Sequence, residues 1–228
     1  MKTNQDFKNA GLAALNGNWK QAIVATFILL VLSELLSAGA WGFSLLDGGQ
    51  NDWSGPMMLG AFVLAVFLYL FFLTLPVVVG FANAFNRLYC ESDSRILANV
   101  KKLSFCDVAR SSAAMLLMSL VTSFFSAFLI VPGVIASMSL FLVPYLVKDY
   151  PKLSVVGVLR LSRKMMQGHK MQLFKLQLSF LGWIFLNLLT LGIGSLWLMP
   201  YMMTTMAAFY QDVKAEYIKK EGLQGSAL

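Results

Sequence analysis

Three long stretches of this chain hold no Lys or Arg, and the polar residues that interrupt or flank them fall where hairpins of membrane-crossing helices would turn. The first lies between Lys20 and Arg87 and carries only Glu34, Asp47 and Asp52 as charges. Its apolar pieces, 21–43 and 56–84, each reach across a hydrocarbon core of about 30 Å at about 1.5 Å per residue. Between them LLDGGQNDWSG (45–55) has the Gly, Asp and Asn of a loop. Ser111–Val147 and Leu176–Gln211 contain no charge at all. Each is too long for one span and just long enough for two short ones, with Pro132-Gly133 and Gly192-Ile193-Gly194 placed as turns. Unpaired backbone in hydrocarbon costs too much for looser arrangements.

The pattern predicts an all-α polytopic membrane protein, one integral domain over residues 1–228. Six helices, at about 20–43, 57–86, 108–131, 134–149, 170–191 and 195–217, pair as three hairpins. A signal-peptide reading of the first apolar run, with Ala38-Gly39-Ala40 as a cleavage-like site, gives way to an uncleaved helix. The basic region before it is long, Glu34 interrupts it, and it extends to Phe43.

Two further segments have helical periodicity but too much polarity to span. In 153–167, Arg160, Arg163, Lys164 and Gln167 share a face at i, i+3, i+4, i+7, opposite Val155, Val158 and Met166. That is the pattern of an interfacial amphipathic helix, and Gly168 is placed to end it. The segment 3–17 carries Phe7, Gly11 and Leu15 on one face and reads as a second surface helix. Trp19, Trp41, Trp53, Trp183 and Trp197 stand at or near span ends, as an aromatic belt would. A weak repeat runs through the even-numbered spans: Leu75-Pro76, Val143-Pro144 and Met199-Pro200, with Phe85 and Phe209 each nine residues beyond the first and third prolines.

Charge sets the orientation. There are 18 Lys and Arg against 11 Asp and Glu, a net +7, and none of the cations falls in the proposed outer connections. This positive-inside bias puts both termini and the loops at 87–110 and 148–175 in the cytoplasm. It also accounts for the basic residues without nucleic acid. Charged residues make up 13% of the chain, against about 25% in soluble proteins, and the mean hydropathy is +0.69.

Candidate chemistry is sparse. Glu34 is the one ionisable side chain expected well inside the hydrocarbon, and such a group is a functional candidate by default, as a proton or cation site. Asn83, Asn86 and Asn187 are intramembrane or near-interface amides suited to bonds between helices. His169, beside Lys170 at a span entrance, suits helix capping or headgroup contact. Cys90 and Cys106 lack metal-type spacing and read as reduced cytosolic thiols. HExxH, GxSxG and Walker patterns are absent, and no metal or cofactor is implied.

The segments GHKMQLFKLQLSFLGW (168–183), LTLGIGSLWLMPY (189–201) and AAFYQDVK (207–214), with AALNGNW (13–19) and Val131-Pro132-Gly133, resemble an uncharacterised family of bacterial integral membrane proteins classed as a domain of unknown function. The resemblance covers residues 131–214 and the N-terminus. It implies a bacterial cytoplasmic (inner) membrane protein of about six helices and brings no catalytic residues. A more distant likeness to the membrane portion of some glycerophosphodiester phosphodiesterases points to lipid-linked work.

The expectation is a non-enzymatic membrane protein that binds membrane lipids, anionic ones above all, or a protein partner, through Arg160, Arg163, Lys164, His169 and Lys170. A small transporter of a lipid-like or amphipathic substrate, with Glu34 as its protonatable element, is the alternative. Immunity against a membrane-active peptide is a third.

Overall fold

The computed structural model describes residues 2–31 and 54–221, and among them there is no strand. The helices are α1 (Asn4–Leu15), α2 (Trp19–Val31), α3 (Ser54–Tyr69), α4 (Leu75–Glu91), α5 (Ile96–Phe105), α6 (Val108–Phe128), α7 (Ile130–Leu140), α8 (Val143–Asp149), α9 (Val155–Met165), α10 (Lys170–Leu178), α11 (Leu181–Leu189) and α12 (Ser195–Glu221). A single π-helical turn, Leu70–Thr74, joins α3 to α4. The all-α expectation holds. Among the described residues four stretches are long and apolar enough to cross a bilayer: Phe62–Glu91, Val108–Ala127, Ile130–Asp149 and Lys170–Leu189; α2 is apolar but shorter. Only 12–50% of these apolar windows is buried inside the protein. Val63, Phe72, Leu120, Phe124, Phe185 and Leu189 point outward, which water would penalise and lipid would not. Glu34, Trp41, Trp53 and the expected loop at 45–55 lie outside the described residues, apart from Ser54 and Gly55, which open α3.

α1 begins on a capping box: the Asp6 amide donates to Thr3 Oγ1 at 3.2 Å and the Thr3 amide donates back to Asp6 Oδ2 at 2.7 Å. The stripe Phe7, Gly11, Leu15 is buried, and α1 lies along α12. A Cβ on Gly11 would sit 2.6 Å from Thr205 Oγ1 and 2.9 Å from its backbone nitrogen, so only glycine allows this approach. Phe7 meets Phe209 edge to face at 5.6 Å. Lys8 donates to the Ser179 carbonyl at 2.9 Å and lies 4.6 Å from the Phe180 ring centre.

The π turn has a local cause. Pro76 has no N–H to give to Phe72 in α register or Phe71 in π register. Ser112 on α6 donates its hydroxyl to the Phe71 carbonyl and satisfies it from outside. Beyond Glu91 the chain reverses through Ser92, in the left-handed region at φ 52°, and returns as α5 along α4. Sequence reading had this segment only as a basic loop. Its ten residues are too few to stand out from their charged surroundings, and burial of Ile96, Asn99 and Ser104 against α4 holds them helical.

One expected turn is displaced. The chain breaks between α6 and α7 at Leu129, extended at φ −158° and ψ 143°, while Pro132 and Gly133 lie inside the first turns of α7. Proline is tolerated there because an N–H in the first turn has no helical acceptor. Gly133 instead brings the two helices together: its missing Cβ would fall 2.1 Å from Ser126 Oγ. The second expected turn is where it was predicted, with Leu191 and Gly192 at positive φ between α11 and α12.

The prolines of the repeat act differently in each helix. Pro76 follows the π turn, Pro144 opens α8 after a break at Phe141–Leu142, and Pro200 lies within α12. Phe85 and Phe209 are both fully buried. They serve separate clusters: Phe85 packs with Leu15, Ala22, Phe81, Leu88 and Ile96, and Phe209 with the larger group around Phe7, Tyr145, Leu146 and Tyr210.

Candidate functional site

α9 carries the clearest division between polar and apolar faces in the described chain. Ser154 caps it by accepting from the Gly157 amide at 3.1 Å, and Gly168 at φ 87° ends the turn that follows it. Val158, Leu159, Leu161, Ser162, Met165 and Met166 are buried, while Arg160, Arg163, Lys164 and Gln167 are exposed. Ser162 fixes the helix to α7 by donating to the Ser139 carbonyl at 3.0 Å, a buried bond.

Beside this contact lies a cavity of about 390 Å³ between α6, α7 and α9. Its walls are Val121 and Phe125 of α6, Pro132, Ile135 and Leu140 of α7, and Val156 and Leu159 of α9. Arg160, Arg163 and Lys170 also line it, and apart from Ser139 the rest of the lining is apolar. Cations beside an apolar cleft suit an amphiphile with an anionic head: the guanidiniums supply charge-assisted, forked donors and the cleft takes hydrocarbon.

The five basic residues singled out in the sequence therefore divide. Arg160, Arg163 and Lys170 come together on the cavity. Lys164 turns to α12, where its Nζ lies 5.6 Å from the Tyr217 ring centre. His169 is buried, with Nε2 3.8 Å from Glu216 Oε1 and with Nδ1 buried and lacking a hydrogen-bond partner. Burial lowers its proton affinity, opposed by the Glu216 carboxylate.

The amides divide as well. Asn187 closes the α11 end, its backbone carbonyl accepting from the Gly192 amide at 3.0 Å and Thr190 Oγ1 at 2.9 Å. Asn83 and Asn86 face a second, polar cavity of about 510 Å³ formed by α4, α5, α8, α12 and the turns beside them. Asn86 Oδ1 accepts from Gln211 Nε2 at 2.7 Å. Asp149 accepts from Tyr210 and pairs with Lys214 at 2.5 Å, and Tyr210 stacks on Tyr145 with ring centres 4.7 Å apart. Both thiols, Cys90 and Cys106, line this cavity and are free.

Sequence reading missed Asp149, Gln211 and Lys214, which sit at the ends of the uncharged stretches. Lining up the three proline-bearing helices would have pointed to them, because α4, α8 and α12 converge on this polar layer. Arg110 was also missed as a structural cation: it donates to the carbonyls of Val147, Tyr150 and Leu153 at 2.6–2.9 Å and so closes the C-terminal end of α8. Among the described residues no three His, Cys, Asp or Glu side chains gather as a metal site would require. Glu34 lies outside the described residues.

Comparison with curated proteins and with solved structures finds no match. A family model described as "Protein of unknown function (DUF975)" matches residues 54–217, from the start of α3 through the loop holding α5 to the end region of α12. That match extends beyond the motifs of 131–214 toward the N-terminus and leaves out the AALNGNW run at 13–19. With that much of its length matched, the chain belongs to this family of unknown function.

Proposed function

We propose that this is a non-enzymatic protein of the bacterial cytoplasmic membrane that holds an anionic lipid in the cavity between α6, α7 and α9. In this reading the chain crosses the bilayer six times as three hairpins, α2 and α12 joining the four long apolar stretches, with both termini in the cytoplasm. The observation that carries it is the grouping of Arg160, Arg163 and Lys170 on a cavity otherwise almost wholly apolar. Each cation near an anionic membrane surface contributes about 1 kcal/mol, and each methylene buried adds about 0.8 kcal/mol. A lipid with one acyl chain in the cleft and its phosphate on the two arginines uses both.

The test is native mass spectrometry of gently purified protein with phosphatidylglycerol or phosphatidylcholine, comparing wild type with a triple variant: Arg160→Glu, Arg163→Glu and Lys170→Glu. Selective phosphatidylglycerol retention, lost in the variant, is expected. Equal retention by a correctly inserted variant would end the reading. The orientation has its own check, since an impermeant maleimide should leave Cys90 and Cys106 unmodified in intact cells and label them in inverted vesicles.

A further inference from the structure

The polar cavity is separate from the lipid cleft and has a different chemistry. It lies where the three proline-bearing helices meet. Asn83 of α4 reaches the Pro144 carbonyl of α8, Asn86 of α4 accepts from Gln211 of α12, and Lys214 of α12 pairs with Asp149 of α8. Interfaces between repeated, interrupted helices are where membrane proteins commonly place solute sites. Its volume of about 510 Å³ falls within the range of roughly 300–1,000 Å³ usual for small-molecule pockets.

Six charged side chains line it, three of each sign: Arg87, Lys148 and Lys214 against Glu91, Asp107 and Asp149. Lys214 and Asp149 satisfy one another. Arg87 is half-buried and has no hydrogen-bond or ion-pair partner among the described residues, although a guanidinium offers five donors. Asn86 is nine-tenths buried, and its Nδ2 likewise donates to nothing among the described residues. Glu91, one helical turn beyond Arg87 on α4, is exposed and lines the same cavity. A simple anion would leave the carboxylates of Glu91 and Asp107 facing it, and a simple cation would meet Arg87 and also Lys148, whose ammonium donates to the Cys106 carbonyl. One solute satisfies both signs.

We infer that this cavity binds a small zwitterion carrying a carboxylate and an ammonium group, a free α-amino acid being the simplest. Arg87 and Asn86 take the carboxylate, and Glu91 with Asp107 takes the ammonium.

Cys90 and Cys106 supply the readout, because a solute in the cavity shields both. The full-length protein in nanodiscs is treated with N-ethylmaleimide in the presence of each non-thiol standard L-amino acid, with acetate and ethylamine as single-charge controls. At least one amino acid should slow modification of both cysteines while neither control does. Arg87→Gln and Glu91→Gln should each weaken that protection about tenfold, equivalent to about 1.4 kcal/mol. Phosphatidylglycerol retention should stay at the wild-type level in both variants, which reports an intact fold and keeps the two sites distinguishable. If Arg87→Gln does not fold, Glu91→Gln at the exposed edge decides. Protection by no amino acid, equal protection by acetate or ethylamine, or protection indifferent to the substitutions would overturn the proposal.

Discussion

Asn83 on α4 donates through Nδ2 to the Pro144 carbonyl on α8 at 2.7 Å and to the Val79 carbonyl of its own helix at 2.8 Å. One side chain, almost fully buried, thus ties together two of the three proline-bearing helices. Replacing it by Leu removes both bonds and leaves the Pro144 carbonyl without this donor. A loss of about 1–2 kcal/mol in unfolding free energy is expected, measured by denaturant titration in mixed micelles. A stability equal to wild type would mean that the bond contributes nothing to holding α8.

Gly80 lies where α5 crosses α4. A Cβ there would stand 2.1 Å from Ser104 Oγ and 2.8 Å from both the Ser104 nitrogen and the Val100 carbonyl oxygen. The hydroxyl can rotate away but the backbone cannot, so Gly80→Ala should cost about 1–3 kcal/mol. Gly182 on α11 has nothing within 4 Å of its missing Cβ, and Gly182→Ala should be neutral or stabilising by up to about 1 kcal/mol. Thermal unfolding of the two variants side by side gives the comparison.

If the cavity between α6, α7 and α9 holds lipid as proposed, filling it should act like removing its cations. Ala136 lines it on α7, and Ala136→Trp occupies hydrocarbon space without touching the charges. Phosphatidylglycerol retention should fall about tenfold, a loss of about 1.4 kcal/mol. Persistence of full retention would place the lipid elsewhere on the surface.

His169 predicts a pH dependence. Its proton affinity is lowered in the fold by burial, against the opposing pull of Glu216 and Asp212 and with the help of Lys220 and the N-terminus. As pH falls through the ordinary imidazole range near 6.5, the unfolded chain takes up a proton that the folded one refuses, so stability drops. The drop ceases once the pH is below the folded value. His169→Gln should flatten this slope in melting temperatures recorded from neutral to mildly acidic pH, and an unchanged slope would assign it to other groups.

Much of this architecture could be read from the residues. Apolar runs without Lys or Arg located the four long apolar stretches, and the i, i+3, i+4, i+7 spacing of Arg160, Arg163, Lys164 and Gln167 identified the exposed face of α9. The stripe Phe7, Gly11, Leu15 likewise named the buried face of α1. Three of the five expected basic residues came together because α9 and the start of α10 converge on one cleft. Lys164 and His169 turned away because α12 passes along the other side, a tertiary fact that periodicity does not contain. The turn at Leu129 escaped because proline and glycine carry two meanings, breaking a helix or opening and packing one. α5 and the polar cavity escaped for a related reason. Both depend on which helices become neighbours, and Asp149, Gln211 and Lys214 are unremarkable until α8 and α12 stand side by side.

Gly11 and Thr205 are in contact although nearly the whole chain separates them. A ribosome-bound intermediate therefore carries the Phe7 and Gly11 part of α1 without its α12 partner, while Leu15 can already pack with Phe81, Phe85 and Ile96, and α1 is not fully seated until α12 has been made. Closure of the bundle comes last and engages its first segment, so any product truncated before α12 would display an apolar face at the membrane surface, where quality-control proteases could recognise it.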